Sequence, residues 1–180
     1  MMRRPATVFL DRDGTINVKA PEGAYITRPD ELALLPGAAD AVRRLNDAGI
    51  EVVVVTNQRG IARGIMSEAD YDAVTEALAG QLATHGASWR AVLHCPHDHG
   101  CCDCRKPAPG LIDRARAELP GLDGDGAVLI GDSESDVEAG RRAGLRTVLL
   151  ADPSDDKGRS SIADHVTPTL ADAVDWLLTG

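Results

Sequence analysis

The feature of this sequence that most constrains its fold is the alternation of short apolar segments with longer amphipathic ones. Residues 52–55 are four consecutive valines, a β-branched run without polar interruption that is typical of a strand buried on both faces. Other short segments have a similar apolar character. We therefore predict five strands, at Thr7–Leu10, Ile50–Val55, Ala91–His94, Ala127–Ile130 and Thr147–Leu150.

The longer segments between these strands have apolar residues at helical spacing, and three of them end at a glycine, as α-helices often do. They predict helices at Ala38–Ala48, Glu68–His85, Pro109–Leu119, Ser135–Ala143 and Leu170–Leu178. Strands that alternate with helices predict an α/β fold with a doubly wound, Rossmann-like parallel sheet. The predicted loops contain no evident linker, so residues 1–180 are expected to form a single domain; these loops are Lys19–Pro36, Cys95–Ala108 and Asp152–Ser161.

Composition excludes several classes of function. The formal net charge is −9 at pH 7 and aromatic residues make up only 3%, whereas nucleic-acid binding requires a basic surface and usually stacking aromatics. No apolar run approaches a length of about 18 residues, which a membrane-spanning helix needs, and the N-terminus has no signal-peptide pattern. We therefore expect a cytoplasmic protein that binds neither nucleic acid nor membrane and, without an evident interface stripe, is a monomer.

Polar side chains follow the predicted strands at the points where the strands end. Asp11 and Asp13 come after the first strand, Thr56 after the second and Asp132 after the fourth, and Lys106 ends the loop after the third. Since parallel strands share the edge at which they end, these side chains are expected to meet there. Three carboxylates suit Mg²⁺. One of them could attack phosphorus and a second could transfer protons, with Thr56 and Lys106 on the phosphoryl oxygens.

Each of these residues has a simpler interpretation when it is taken alone. Asp13 with Gly14 could form a plain turn, and Asp132 could cap a helix. Thr56 could cap a strand end, and Lys106 could be a solvated surface charge. Their joint occurrence at successive strand ends favours phosphoryl-transfer chemistry. Neither a Gly-x-Gly-x-x-Gly sequence nor a P-loop sequence occurs at these ends, which argues against a dinucleotide site or a Walker-type site.

All four cysteines lie in one short loop, at positions 95, 101, 102 and 104, together with two histidines. Disulfides between them would close only tiny loops and constrain the unfolded chain little. Three thiolates and one imidazole are the ligands of a closed tetrahedral Zn²⁺ site, and such soft ligands suit Mg²⁺ poorly. We therefore predict a zinc site at residues 95–104, with a reduced loop without metal as the alternative. The spacing leaves Cys101 and Cys102 as alternative ligands.

The segments at the strand ends resemble the four motifs of the haloacid dehalogenase superfamily of phosphohydrolases. These segments are Asp11–Thr15, Val55–Gln58, Arg105–Pro107 and Gly131–Asp136. The resemblance is closer to the heptose-bisphosphate phosphatases, with the histidinol phosphatases as near relatives, and it covers nearly the whole chain. The closer match is carried by Phe9–Asn17, by Thr56–Gln58 followed by Gly60–Gly64, by Cys95–His97 and by Cys102–Pro107.

The resemblance implies a role for each residue of the strand-end group. Asp11 is the nucleophile and Asp13 the general acid and base. Mg²⁺ is held by Asp11, Asp132 and the backbone carbonyl of Asp13, while Thr56 and Lys106 stabilise the phosphoryl group. The family pattern also selects four zinc ligands and leaves Cys101 spare; these ligands are Cys95, His97, Cys102 and Cys104.

The resemblance also implies how the substrate is bound. The family lacks a large cap domain, so Lys19–Pro36, Gly60–Gly64 and the Cys/His loop are expected to take its place. Arg105 is implied in recognition of a sugar bisphosphate. Ser133 departs from the pattern, because family members often carry Lys there, and Arg59 and Arg63 are the candidates to replace that charge. The predicted substrate-binding residues are Arg12, Tyr25, Asn57, Gln58, Arg59, Arg63 and Arg105.

These observations predict a Mg²⁺-dependent phosphomonoesterase that removes the 7-phosphate of a heptose 1,7-bisphosphate through an aspartyl phosphate on Asp11. Histidinol phosphate is the alternative substrate, since the core motifs are shared. A second alternative, from a different class, is a receiver-like module that accepts phosphate on an aspartate and signals through a partner. Asp13 argues against it, because a receiver has no use for a general acid and base two residues after its phosphorylated aspartate.

Overall fold

The structure, a computed structural model, describes residues 4–122 and 126–180. Its strands are β1 Thr7–Leu10, β2 Glu51–Asn57, β3 Ala91–Cys95, β4 Val128–Gly131, β5 Arg146–Leu150 and β6 His165–Thr167. They form a six-stranded sheet in the order β3-β2-β1-β4-β5-β6. All neighbouring strands are parallel, so the six strands end at the same edge of the sheet.

The α-helices within the described ranges are α1 Ala38–Asp47, α2 Arg59–Ala62, α3 Glu68–Ala83, α4 Gly110–Glu118, α5 Glu134–Arg142, α6 Asp156–Ser160 and α7 Leu170–Thr179. A single 3₁₀ turn spans Pro29–Glu31. Thr169 caps α7, because its side chain accepts a hydrogen bond from the backbone N–H of Asp172. None of these helices is long and apolar enough to cross a membrane.

The strands are buried on both faces, which explains why their sequences are continuously apolar. Along β1, Val8 and Leu10 pack into one core and Phe9 into the other, and the valines of β2 alternate in the same way. Helices α1, α3 and α7 cover the first core, whereas α4 and α5 cover the second. With both faces covered, polar side chains are accommodated mainly at the strand ends.

The predicted doubly wound parallel sheet without a large cap is confirmed, and every predicted strand and helix ends within two residues of the observed one. Three short elements, α2, α6 and β6, have no counterpart in the prediction. The predicted loop over Asp152–Ser161 is wrong at its centre, where Asp155 accepts a hydrogen bond from Gly158 N–H and begins α6. Elements of three to five residues are too short to show a period in the sequence.

β1 and β4 lie side by side at the centre of the sheet, although the chain leaves them toward opposite edges. From β1 the chain continues to β2 and β3, and from β4 to β5 and β6. Where two connections diverge in this way, the loops leave a crevice at the carboxyl ends of the strands. Asp11 follows β1 and Asp132 follows β4, so both carboxylates lie at this crevice.

The packing of α5 on the sheet depends on Gly140. A Cβ at this position would come within 2.6 Å of Thr147 Cγ2 and 3.2 Å of Leu129 Cβ. Gly140→Ala is therefore expected to lower the free energy of unfolding by about 1–3 kcal/mol, the usual cost of overpacking. Denaturation in urea measures this change, and an unchanged or raised stability would contradict the packing described.

Gly80→Ala is the matched control for this substitution. Gly80 also lies within a helix, α3, but beyond its chain neighbours and the backbone of its own helix no described atom lies within 4 Å of an added Cβ. Here alanine is expected to raise the free energy of unfolding by about 0.5–1 kcal/mol. The reason is that alanine restricts the conformations of the unfolded chain and has a higher helix propensity than glycine.

Candidate active site

Lys106 is the buried centre of the polar side chains at the crevice. Its ammonium donates hydrogen bonds to Asp11 Oδ1 and to the backbone oxygen of Val55, each at 2.7 Å, and lies 2.5 Å from Asp136 Oδ1. Only 4% of Lys106 is exposed, and Asp11 and Asp136 are buried as well. Burial opposes the charge of Lys106, but the two carboxylates outweigh it and raise the pKa of Lys106 above its usual value. Lys106 is therefore a permanently charged group inside the site.

The main chain places Asp11 and Asp132 next to each other. Asp11 continues the hydrogen-bond ladder of β1, since its N–H donates to the backbone oxygen of Ile130 at 3.0 Å. The chain then turns at Gly14, whose φ of 89° is a left-handed conformation that glycine adopts without strain. A Cβ on Gly14 would lie 2.4 Å from Asp132 Oδ2. Glycine at this position therefore lets the turn after β1 pass directly against the carboxylate that follows β4.

Asn57 fixes the backbone of Lys106 from the end of β2. Asn57 Nδ2 donates to the backbone oxygen of Lys106 at 3.0 Å, and Asn57 Oδ1 accepts from the backbone N–H of Lys106 at 3.1 Å. These two hydrogen bonds satisfy the backbone N–H and carbonyl of Lys106 in the way that a neighbouring β-strand would. This contact joins the end of β2 to the segment after the Cys/His loop and sets the direction of the Lys106 side chain.

The carboxylate of Asp13 is held by three side chains. Arg12 donates to both of its oxygens at 3.0–3.2 Å, and Asn17 and Gln58 each donate from a side-chain amide at 2.9 Å. Burial raises the pKa of Asp13, but the charge of Arg12 and these hydrogen bonds outweigh burial and hold the pKa below its usual value. Asp13 is therefore an ionised, oriented carboxylate in this structure.

The pKa of Asp11 is shifted in the opposite direction to that of Asp13. Burial raises the pKa of Asp11 to about 7; the charges of Asp136 and Asp13 act in the same direction, and Lys106 offsets them only in part. Two carboxyl groups in neighbouring positions are thus set to different pKa values. Such a difference is typical of sites in which two carboxylates have distinct roles.

Asp11, Asp132 and Asp136 could hold a metal ion, because one carboxylate oxygen from each lies within 4.8 Å of the others. Asp132 Oδ1 is buried and accepts no hydrogen bond from the part of the chain that the structure describes. A buried carboxylate oxygen without a partner fits a position next to a cation. Hard oxygen donors suit Mg²⁺, so these residues fit the predicted magnesium site.

A cavity of about 360 Å³ opens beside the carboxylates. Its lining includes residues 19–25 (the 19–25 loop), Asn57, Arg105, Ser133 and Ser135. Arg105 Nε and Nη1 are buried, yet they have no hydrogen-bond partner within residues 4–122 and 126–180. Because these nitrogens hold no internal contact, the Arg105 side chain can turn toward a phosphate in the cavity without losing a hydrogen bond. The cavity therefore offers room and positive charge to a small anionic ligand.

The structure brings most of the predicted site residues to this cavity. Those that line it are Asp11, Asp13, Tyr25, Thr56, Asn57, Arg105, Lys106 and Asp132. Gln58 does not line the cavity, but its amide donates to both Asp13 Oδ2 and Thr56 Oγ1 and so orients them.

Three predicted substrate-binding arginines lie elsewhere. Arg12 is only 1% exposed, because it pairs with Asp13 and lies over the ring of Tyr71, 5.7 Å from the ring centre. Arg59 pairs with Asp98 of the Cys/His loop at 2.6 Å, and Arg63 is exposed. Neither Arg59 nor Arg63 lines the cavity in this structure.

Two residues of the site have no role in the sequence prediction. Asp136 lies four residues after Asp132, in the first turn of α5, and its closeness in the chain to a predicted metal ligand is a signal that could have found it. Lys19 donates to Asp132 Oδ2 at 3.0 Å from a loop more than a hundred residues earlier in the chain. Nothing in the local sequence pattern indicates that contact.

The Cys/His loop brings four possible metal ligands together. Cys95 Sγ lies 3.6 Å from Cys102 Sγ and 3.7 Å from His97 Nδ1, and His97 Nδ1 lies 3.3 Å from Cys104 Sγ. A tetrahedral zinc ion with bonds of about 2.3 Å to sulfur and about 2.0 Å to nitrogen holds its ligands roughly 3.5–3.8 Å apart. The cluster could therefore bind zinc. Cys101 is exposed and lies outside the cluster.

The loop connects this cluster to the active-site crevice. Cys95 ends β3, and Cys104 is followed directly by Arg105 and Lys106. Burial works against the thiolate of Cys102, but hydrogen bonds from Cys104 and from the backbone of Arg105 lower the pKa of Cys102 to about 7. Burial raises the pKa of the Cys95 and Cys104 thiols instead, so the full set of thiolates that binds zinc requires a bound cation. A metal in the loop would therefore help to fix the position of Arg105 and Lys106.

Comparison with known proteins is consistent with this site. A family model described as HAD-hydrolase-like matches residues 103–173, which include Lys106, Asp132 and Asp136. The D-glycero-beta-D-manno-heptose-1,7-bisphosphate 7-phosphatase of Escherichia coli K12 is 34% identical over 99% of this chain and 91% of its own length. The protein of the same name from Pseudomonas putida is 41% identical over 79% of this chain and 81% of its own length.

A solved structure gives the same result. The D,D-heptose 1,7-bisphosphate phosphatase from B. bronchiseptica, solved with magnesium and phosphate, has a TM-score of 0.83 and 34% identity, over 96% of this chain and 98% of that one. The sheet and its strand-end aspartates thus have the architecture of a haloacid dehalogenase-type hydrolase. This chain belongs to that hydrolase family, in the group formed by the heptose-bisphosphate phosphatases. The resemblance stated from the sequence motifs is confirmed.

Cys101→Ser and Cys102→Ser are a matched pair that tests the zinc site, since the two thiols are adjacent and only Cys102 lies in the cluster. Wild-type protein and Cys101→Ser are expected to hold about one zinc ion per chain, whereas Cys102→Ser should lose most of it with one thiolate ligand gone. Elemental analysis of the purified proteins measures this. Full zinc in Cys102→Ser but not in Cys101→Ser would make Cys101 the ligand, and no zinc in any protein would refute the site.

Proposed function

We propose that this protein is a Mg²⁺-dependent phosphatase that removes the 7-phosphate of D-glycero-D-manno-heptose 1,7-bisphosphate. The observation that carries the proposal is the buried carboxylate of Asp11, which Lys106 holds at the crevice of the sheet between Asp13 and Asp132. The similarity to relatives named for this activity spans nearly the whole chain, which supports the same substrate class here.

In the first step, an oxygen of Asp11 attacks the phosphorus atom of the 7-phosphate. The bond between phosphorus and the sugar oxygen breaks, and this oxygen leaves with the bonding electron pair and takes a proton from Asp13. The phosphoryl group becomes an aspartyl phosphate on Asp11. Lys106 and Thr56 stabilise the phosphoryl oxygens during the transfer, Lys106 by its fixed charge and Thr56 by its hydroxyl at the end of β2.

In the second step, a water molecule attacks the phosphorus atom and gives a proton to Asp13. The bond between phosphorus and the Asp11 oxygen breaks with its electron pair on that oxygen, so inorganic phosphate leaves and Asp11 returns to a carboxylate. The lowered pKa of Asp13 keeps its carboxylate ionised and therefore able to accept a proton in this step. For the first step its pKa must rise, and the negative charge of a bound phosphate acts in that direction. Gln58 and Asn17 hold Asp13 in place.

Asp11 and Asp132 would hold Mg²⁺, together with the backbone carbonyl of Asp13. When bound, the ion supplies positive charge that offsets the charge of the phosphate and favours the ionised form of Asp11. We assign Asp136 to a different role. It contacts the ammonium of Lys106 and accepts hydrogen bonds from the backbone and hydroxyl of Ser133, so it positions Lys106 against Asp11.

A bisphosphate substrate needs a second anion-binding group away from the reacting phosphate. Arg105 lines the cavity next to Lys106, and its Nε and Nη1 have no partner in the described chain. A guanidinium can contact two oxygens of one phosphate at once. Tyr25, on the 19–25 loop, lines the same cavity and can contact the sugar. We therefore assign the 1-phosphate to Arg105.

Steady-state phosphate release tests the proposal. Both anomers of the heptose 1,7-bisphosphate are compared with histidinol phosphate and p-nitrophenyl phosphate, with and without Mg²⁺. The value of kcat/KM for one heptose anomer is expected to exceed that for histidinol phosphate by at least about 100-fold, the discrimination that a site built around polar contacts achieves. A preference for histidinol phosphate would contradict the substrate, and no Mg²⁺-dependent turnover of any compound would contradict the phosphatase activity.

Arg105→Ala, measured on the same compounds, tests the assigned 1-phosphate contact. KM for the heptose bisphosphate should rise about tenfold to hundredfold, because a charge-assisted hydrogen bond is worth about 1.5–3 kcal/mol. KM for p-nitrophenyl phosphate should change little, since this compound has a single phosphate. Arg114→Ala is the control, as Arg114 is exposed on α4, pairs with Glu118 and does not line the cavity. Equal losses on both substrates would show that Arg105 supports the loop instead.

A further inference from the structure

Lysine is rare in this chain, and every lysine contacts at least one of the three residues Asp11, Asp132 and Asp136. The sequence has three lysines, at positions 19, 106 and 157, against sixteen arginines. Lys106 contacts two carboxylates, as described above. Lys19 donates to Asp132 Oδ2 at 3.0 Å, and Lys157 donates to the backbone oxygen of Asp132. The mechanism above uses only Lys106, so the positions of the other two need an explanation.

Lys19 is held far more loosely than Lys106. The side chain of Lys19 is 58% exposed, and Asp132 is its one ion-pair partner in the described ranges. An exposed ion pair of this kind is worth about 0–1 kcal/mol, so Lys19 can leave Asp132 at low cost. A lysine ammonium also cannot form the two parallel hydrogen bonds by which an arginine guanidinium binds a carboxylate. The contact is therefore a weak one that can be exchanged.

Lys19 and Mg²⁺ need the same carboxylate. Asp132 belongs to the cluster that fits the metal, and Lys19 occupies its Oδ2. Two cations at one carboxylate repel each other, and a divalent ion held by a second carboxylate, Asp11, is the stronger competitor. A divalent ion at the unpartnered Oδ1 of Asp132 therefore weakens the contact between Lys19 and Oδ2 and favours the release of Lys19.

The cavity is where the released ammonium can go. Lys19 already lines the cavity as the first residue of the 19–25 loop. Among the cations that line it, Lys106 is committed to buried carboxylates, so Lys19 and Arg105 remain for an anionic ligand. A phosphate bound at Asp11 lies beside Asp132 and hence within reach of a flexible four-carbon side chain that starts at this wall.

We propose that Lys19 is a substrate-binding residue that exchanges partners. Lys19 neutralises Asp132 before the metal site is filled, and it contacts the reacting phosphate once Asp132 holds Mg²⁺. The proposal rests on the proposed phosphatase function and adds to it a cation at the cavity, which neither Arg59 nor Arg63 lines. It also couples the two ligands, because phosphate gains the Lys19 contact only after the metal has bound.

The exchange predicts opposite effects on the two ligands. Lys19→Gln removes a competitor for Asp132, so the metal-free protein should bind Mg²⁺ more tightly. The same substitution removes a cation from the phosphate, so the Mg²⁺-loaded protein should bind phosphate more weakly. A residue that merely supported the 19–25 loop would weaken both, because a disordered loop would leave the whole site less well formed.

Isothermal titration calorimetry measures both effects without turnover. Mg²⁺ is titrated into protein freed of Mg²⁺ with its zinc retained, and inorganic phosphate is titrated into the Mg²⁺-saturated protein. For Lys19→Gln, the Kd for Mg²⁺ should fall about threefold, which corresponds to the loss of a weak competing ion pair. The Kd for phosphate should rise about tenfold, which corresponds to the loss of one charge-assisted contact.

Lys157→Gln is the matched control, since it removes the same charge near Asp132 from a side chain that does not line the cavity. Its phosphate affinity should stay within about twofold of the wild type, since an exposed charge off the cavity is worth little. Unchanged Mg²⁺ affinity in Lys19→Gln would overturn the exchange, and unchanged or equally weakened phosphate affinity in both variants would overturn the contact.

The two proposals fail in different ways. If Lys19→Gln shows both calorimetric changes but the wild type hydrolyses no heptose bisphosphate, the substrate assignment fails and the role of Lys19 at phosphate stands. If the Mg²⁺-loaded wild type binds no phosphate, the proposal for Lys19 is refuted directly. If heptose bisphosphate is hydrolysed but Lys19→Gln binds both ligands as the wild type does, only the proposal for Lys19 fails.

Discussion

The site is organised around one buried ammonium. Lys106 lies between Asp11 and Asp136 with its third contact to the backbone of β2, and almost none of it reaches solvent. A buried charge without such partners would be strongly destabilising, and the two carboxylates would repel each other without Lys106. Since the groups come from β1, β2, α5 and the segment after the Cys/His loop, the contact exists only when the parallel sheet is complete. The complete sheet is therefore required to bring the charged groups of the site together.

The neighbouring carboxylates show how environment separates residues of the same type. Asp11 is buried among negative charges, whereas Asp13 is held by Arg12 and two amides, so their pKa values move in opposite directions. The two roles proposed for them, nucleophile and proton carrier, require this kind of difference. Asp132 differs again, because its buried Oδ1 accepts no hydrogen bond from the described residues and fits a position next to a cation.

Much of this could be predicted from the sequence, for a physical reason. Continuous apolar runs predict strands covered on both faces, and parallel strands bring their ends together, so Asp11, Asp132 and Lys106 could be placed at one site. Contacts between residues that are far apart in the chain could not be predicted in this way. Arg12 stands next to Asp13 and was expected at the substrate, yet it is buried because α3 provides the ring of Tyr71 above it. Lys19 reaches Asp132 across the fold, and no local pattern encodes that contact.

The most direct test of the central claim is to locate the transferred phosphate. Asp13→Asn lacks the base of the second step, whereas p-nitrophenolate can leave in the first step without a proton from Asp13. An aspartyl phosphate should therefore accumulate when this variant is mixed with Mg²⁺ and p-nitrophenyl phosphate labelled in its phosphate. After an acid quench, peptide mapping should place the label on Asp11, and Asp11→Asn should carry none. Label on another residue, or phosphate release by Asp13→Asn at the wild-type rate with no labelled protein, would contradict Asp11 as the nucleophile.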